Sequence, residues 1–229
     1  MNKQDIYKSL EDDMLGYSDL VGVPVRPVQE KLVPIESMEN LVTKPINSEM
    51  QPYTGMKIYV RTSVASRLHQ AARALAVKDA RLKLQVVYGY RALSIQRRLF
   101  LKYKNRLEKQ YAGDDLIEAT HRLIAVPEIA GHPTGGAVDI QIIRDDMPID
   151  MGTNIWEFVK NSFAFSPFIN RAAQANRKLL RNVMMEAGFA PFDGEWWHFS
   201  YGDKEWATYY KKSSAMYEQL EFKELTSDS

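Results

Sequence analysis

Two short stretches of this 229-residue chain concentrate the side chains that could do chemistry. The first is Gly131-His132-Pro133-Thr134-Gly135-Gly136-Ala137-Val138-Asp139, the second Glu195-Trp196-Trp197-His198. Together they offer two imidazoles and one carboxylate as metal ligands, plus a second carboxylate that need not touch the metal. Catalytic zinc takes three protein ligands and keeps a fourth position for water. Two neutral His and one Asp leave such an ion with net positive charge, which suits polarising a carbonyl and acidifying a water. The pattern predicts a zinc peptidase site holding one Zn2+ per chain on His132, Asp139 and His198. Glu195 is the expected general base, taking a proton from water and returning it to the leaving amine.

Six residues separate His132 from Asp139, which is wrong for a ligand pair on one helix face. The spacing suits a turn that brings a loop His beside a strand Asp, with Gly135 and Gly136 supplying backbone freedom and close approach. Asp139 sits on the polar face of an otherwise apolar strand, and a buried carboxylate needs a partner. A metal is one such partner; an Arg or backbone amides would be another. Glu195 and His198 would point to opposite faces of a regularly pleated strand. Either the strand begins after Glu195 or a bulge re-aims one side chain. Trp196 and Trp197 would help exclude water. Each pair has a plainer reading: a His–Asp pair in a turn is commonly a structural hydrogen bond, and Arg91 after Tyr88-Gly89-Tyr90 is commonly a surface ion-pair partner. His69 and His121 lie in helical stretches without a matching motif and read as structural or surface residues.

The elements that must position these groups have their own signatures. Val64, Ala65, Leu68, Ala71, Ala72, Leu75 and Ala76 recur at helical spacing, predicting an amphipathic helix over 62–80. Leu82, Leu84 and Val86 alternate with Lys83 and Gln85, the mark of a half-buried strand. Ser94 is a plausible N-cap for a second helix carrying Ile95, Leu99, Tyr103, Leu107 and Tyr111, with Gly113 as its stop. Residues 137–142 read as a strand, Val138, Ile140 and Ile142 facing one way and Ala137, Asp139 and Gln141 the other. Asn170 can cap a third helix through Ala173, Leu180, Met184 and Ala187, ending at Gly188. A last strand should carry Trp197 to Tyr201. Mixed helices and strands without regular βαβ alternation predict an α+β fold with a central, mainly antiparallel sheet flanked by helices.

Residues 1–56 read as an irregular arm packed on the body, because Pro24, Pro27, Pro34, Pro45 and Pro52 recur too often for a long helix or central strand. Residues 57–217 read as a single domain, and 218–229 as a polar tail that frays. Hydrophobic and charged contents of 45% and 26% are those of an ordinary globular chain. A net charge of +1 gives no support to a nucleic-acid partner, and no apolar run has the length of a membrane span. Cysteine is absent, so a metal must sit on His and carboxylates. The first residues lack the apolar stretch of a secretory signal, which makes the cytoplasm the expected location. Nothing in the sequence fixes the oligomeric state.

These residues occur together in one order, and with them the chain resembles the D-alanyl-D-alanine dipeptidases of the vancomycin-resistance type, cytoplasmic zinc enzymes. It is more distantly similar to D,D-carboxypeptidases and the Hedgehog amino-terminal domain, which share that fold. Gly89-Tyr90-Arg91, His132 to Asp139, Met151-Gly152, and the run from Asn176-Arg177-Lys178-Leu179-Leu180 through Gly188-Phe189 to Glu195-Trp196-Trp197-His198-Phe199 carry the likeness. The resemblance implies zinc on His132, Asp139 and His198, Glu195 as base, and Arg91 stabilising the developing oxyanion or holding the substrate carbonyl. It implies a small D-amino-acid-containing peptide as substrate.

The chain departs from the family pattern around substrate recognition. Ala130 stands where the family usually has Ser, and Trp156 where it tends to have the Asp that binds the substrate's ammonium. Losing one charge-assisted hydrogen bond costs roughly 1.5–3 kcal/mol, one to two powers of ten in affinity. A second reading follows: a D,D-carboxypeptidase or endopeptidase acting on longer peptidoglycan stem peptides. A third is a non-catalytic zinc-binding module, for which Glu195 and Arg91 would be superfluous.

Overall fold

Alternation and caps in the sequence build a sheet whose apolar side is covered by two helices and whose other side carries the polar residues of interest. The computed structural model describes residues 2–221. The early elements are α1 (Lys3–Asp12), α2 (Tyr17–Val21), β1 (Leu32–Pro34), β2 (Leu41–Thr43), α3 (Gln51–Thr54) and β3 (Tyr59–Arg61). The middle holds α4 (Thr62–Lys78), β4 (Leu82–Tyr88), α5 (Leu93–Leu107), α6 (Gly113–His121), β5 (Ala137–Arg144) and β6 (Met147–Pro148). Last come α7 (Arg171–Glu186), β7 (Ala190–Pro191), β8 (His198–Ser200) and α8 (Lys204–Tyr209).

The main sheet runs β2-β4-β5-β8-β7, with β6 also paired to β5. Only β2–β4 is parallel; β4–β5, β5–β6, β5–β8 and β7–β8 are antiparallel. The α+β class with a mainly antiparallel sheet is therefore what the structure has. Val138, Ile140 and Ile142 of β5 face a core shared with Leu84 and Val86 of β4, Leu68 and Leu75 of α4, and Leu180 and Met184 of α7. α4 and α7 pack together over this face. Apolar burial of this kind contributes about 1.5–3 kcal/mol for each large side chain.

Several sequence expectations change. β4 is buried on both faces apart from Lys83, not half-buried, because Gln85 pairs with Gln141 Nε2 at 2.7 Å on the second face. α5 begins after Ala92, with Ser94 inside its first turn. It ends at Leu107; Gly113, expected as its stop, opens α6 with a left-handed φ of +56°. That conformation can start an element as readily as end one. The arm is not irregular throughout. Its prolines begin only at Pro24, and before them Asn2 and Asp5 form a reciprocal capping box for α1 (Asp5 N to Asn2 Oδ1, 2.9 Å; Asn2 N to Asp5 Oδ2, 3.0 Å). Asn170 does cap α7, accepting from the Ala173 amide at 2.8 Å. The part of the expected fraying tail at 222–229 lies outside the described residues. Among the described residues, no helix is long and apolar enough to cross a membrane.

Candidate active site

Strand register brings the site together. Asp139 on β5 lies opposite His198 on β8 and, across the other edge, opposite Tyr88 at the end of β4, where the ladder shifts register. The strand carrying His198 begins at that residue, so Glu195 is outside the pleat. The amide of His198 donates to the Glu195 carbonyl at 3.1 Å, a turn that lets both side chains face one cavity. Of the two sequence alternatives, the later strand start is the one realised.

His132 sits in a single 3-10 turn, His132–Thr134, just ahead of β5. Gly135 closes the turn at φ +73°, and a Cβ on Gly136 would meet the Tyr201 carbonyl at 2.5 Å. Gly135 and Gly136 are thus both required, the first for its backbone angle and the second for close packing. Nδ1 of His132 bonds the Gly89 carbonyl at 2.8 Å, leaving Nε2 directed at Asp139 Oδ1 3.4 Å away. His198 Nδ1 stands 3.2 Å from the same oxygen. Zn–N and Zn–O bonds of about 2.0–2.1 Å at tetrahedral angles require ligand atoms about 3.3 Å apart. The two contacts to Asp139 have that length, and all three ligand atoms fall within 4.8 Å of one another. The donor set therefore fits zinc.

Burial sets the charges of the metal-free groups. It alone would raise Asp139, but the charges and hydrogen bonds of His132 and His198 outweigh it and hold the carboxyl below its usual range. Burial lowers His132 to about 4. His198 goes the other way, to about 10: burial is overcome by its bond to Asp139 and the charge of Glu205. Glu195 is pushed up to about 7 by burial, opposed by His198 and reinforced by Asp139. A carboxyl group near 7 can both accept and release a proton at neutral pH.

Arg91, 9% exposed, enters the same cavity from the loop after β4. Its Nε donates to Tyr88 Oη at 3.2 Å and its Nη1 to Gln96 Oε1 at 2.8 Å, while the guanidinium lies over the Tyr88 ring. Gln96 is itself fixed through the Ala125 carbonyl at 2.6 Å. Ala130, Trp156, Phe158, Phe192 and, from the arm, Leu15 and Leu20 complete the walls. All five residues expected from the sequence thus converge on one cavity.

A family model described as D-ala-D-ala dipeptidase matches residues 43–217. The chain belongs to that family. A D-alanyl-D-alanine dipeptidase of Synechocystis sp. is 28% identical over 232 residues, 88% of this chain and 94% of that protein. A D-alanyl-D-alanine dipeptidase of Escherichia coli K12 is 30% identical over 135 residues, 58% of this chain and 69% of that one. Among solved structures, VanYB in complex with D-alanine-D-alanine is 18% identical, with 86% of this chain and 94% of the other covered and a TM-score of 0.44. That likeness is too distant to carry an argument about the site. The expected zinc metallopeptidase of dipeptidase type is met at the level of the family.

Two residues of the site escaped sequence reasoning, Glu205 and the part played by Trp156, while His121 keeps the structural role expected of it. His121, expected to be structural or on the surface, lines the cavity; burial lowers it to about 4, and its Nδ1 accepts from the Val126 amide at 3.3 Å. Glu205 lies near His198, placed there by α8, and no motif announces it. Trp156 was seen only as a missing carboxylate, whereas its indole Nε1 donates to Asp139 Oδ2 at 2.8 Å. A donor to a carboxylate has no one-dimensional signature.

Proposed function

We propose that this protein hydrolyses D-alanyl-D-alanine or a closely related small dipeptide, with His132, Asp139 and His198 holding one zinc ion and Glu195 as general base. The observation that carries the reading is the pair of contacts from Asp139 Oδ1 to His132 and His198, both near tetrahedral edge length, in a cavity that Glu195 and Arg91 also line. Zinc bound there supplies a Lewis acid and an acidified water. Glu195 takes the proton from the attacking water and passes it to the amine as the peptide bond breaks. Arg91, held by Tyr88 and Gln96, directs fixed N–H donors at the carbonyl oxygen where negative charge develops. Trp156, Phe158 and Phe192 wall the cavity and limit water. The expected cytoplasmic location belongs to this proposal.

One observation favours a second substrate class. The carboxylates lining the cavity are Asp139, Glu195 and Glu205, each directed at the ligand set or at its proton chemistry. With Trp156 where the resemblance implies an ammonium-binding Asp, no further carboxylate among the described residues lines this cavity to meet the amino end of a dipeptide. An acylated or longer stem peptide needs none. The test offers zinc-loaded protein D-Ala-D-Ala, its N-acetyl derivative and a stem pentapeptide, with cleavage followed by mass spectrometry and Glu195→Gln as the blank. Preferential cleavage of the free dipeptide, lost by about 10²–10⁴ in the variant, is expected. Cleavage confined to the acylated or longer peptides would move the assignment to the second class. An unaffected Glu195→Gln enzyme would remove the general base from the proposal.

A further inference from the structure

We infer that Trp156 is a positioning residue for the metal ligand Asp139, its indole N–H holding one carboxylate oxygen so that only the other is offered to the metal. The inference rests on reading His132, Asp139 and His198 as zinc ligands.

Asp139 is 2% exposed, so each of its oxygens must find a partner inside the protein. Oδ1 faces both imidazoles, at 3.4 and 3.2 Å. Oδ2 accepts the Trp156 indole at 2.8 Å. A carboxylate tied in this way coordinates through one oxygen, which leaves a fourth position open as catalytic zinc requires. His132 is fixed in the same manner, by its Nδ1 on the Gly89 carbonyl. Partners of this kind orient ligands and tune metal affinity.

The backbone at Trp156 points to the same role. Its φ is +61°, the left-handed region that a bulky side chain rarely occupies. Such a conformation persists only where the surroundings over-determine it. Here they do: Arg177 of α7 clamps the segment from both ends, donating to the carbonyls of Met151 (2.7 Å), Asn161 (2.8 Å) and Phe163 (2.7 Å) and to Thr153 Oγ1 (3.2 Å). The Asn154 amide donates to Glu157 Oε2 at 3.0 Å, closing the turn around Trp156. The Tyr88 ring meets the indole edge-to-face at 5.8 Å. The backbone is held where the indole reaches Asp139.

The test measures zinc affinity by competition with a chelator and the thermal midpoint of the metal-free protein, neither of which depends on turnover. Trp156→Phe keeps an aromatic ring and removes the donor; Trp156→Gly removes the donor and suits the left-handed backbone, so at least one variant folds without added strain. Trp196→Phe is the control, because its indole donates at 2.9 Å to Thr153 and not to a ligand. Zinc affinity should fall about 10-fold or more in both Trp156 variants, and stay within about twofold of wild type in the control. The spectrum of the cobalt-substituted Trp156→Phe protein should change as Asp139 becomes free to coordinate through both oxygens. Wild-type zinc affinity and an unchanged cobalt spectrum in either folded Trp156 variant would overturn the inference. Unchanged zinc binding by His132→Ala would overturn the ligand assignment itself, a result separable from the first.

Discussion

The carboxylate of Glu205 stands 3.9 Å from Nε2 of His198, on the side of the ring away from Asp139. Asp203 puts it there by capping α8, accepting from the Trp206 amide at 2.9 Å and from Ser200 Oγ at 2.8 Å. A ligating His commonly directs its second N–H at a carboxylate or carbonyl, which fixes the ring and its tautomer. Glu205→Gln keeps size and burial but cannot ionise to face that N–H with a carboxylate. Zinc affinity should drop roughly 10-fold, measured by chelator competition, with the fold intact by circular dichroism. Affinity equal to wild type would leave Glu205 without a part in holding the metal.

Arg177 ties the loop between β6 and α7 to the core. It is 3% exposed and burial lowers it to about 10, so it stays charged at neutral pH. Arg177→Met fills similar space but leaves the carbonyls of Met151, Asn161 and Phe163 without their donor. Each buried group left unpaired costs about 1–3 kcal/mol, so a loss of roughly 3 kcal/mol and a midpoint lower by about 6–12 °C are expected. Calorimetry of the metal-free protein checks this. A shift under about 2 °C would mean that the loop is held by other contacts.

Legibility in the sequence tracked distance along the chain. The helix at 62–78, the strand at 137–144 and the Asn170 cap are local, and periodicity or a single hydrogen bond decides them. The convergence of His132, Asp139 and His198 was legible because their types and order are distinctive. The contacts of Gly89, Glu205 and Trp156 were not legible: each meets a proposed ligand 43, 7 and 17 residues away, through a carbonyl, a carboxyl and an indole donor. Tertiary register, which no spacing rule reports, sets those contacts. The early helices lie ahead of Pro24, so the proline spacing from there onward carries no information about them.

The arm should influence which peptides enter. Leu15 and Leu20 line the cavity, and Glu118 of α6 anchors that corner by accepting from the amides of Tyr17 (2.9 Å) and Ser18 (2.7 Å). Glu118→Ala removes the anchor without touching the ligands. KM for a dipeptide should rise several-fold with kcat nearly constant, the signature of lost uniform binding, while longer peptides lose less or gain. An unchanged ratio of dipeptide to pentapeptide turnover would show that the arm does not police substrate length.

The effect of zinc on stability should grow with pH. The unfolded chain releases protons from Glu near 4.5 and from His near 6.5, whereas the folded metal-free protein keeps them on Glu195 to about 7, Glu205 to about 8 and His198 to about 10. From pH 6.5 to 8 the native state therefore binds more protons than the unfolded one, and its stability falls as pH rises. Between 4.5 and 6.5 His132 and His121, both lowered to about 4 by burial, act in the opposite sense and offset part of this slope. The stability that His198 contributes is fully present below 6.5 and disappears as pH climbs toward 10. On the proposed ligand set a metal on Nδ1 would take the place of that proton, and metal affinity would rise as the proton becomes easier to displace. Thermal midpoints with excess zinc and with chelator, measured at pH 6, 7 and 8, should diverge steadily, and His198→Ala should abolish the divergence. A gap that stayed constant or narrowed over this range would contradict both the proton held by His198 and its replacement by the metal.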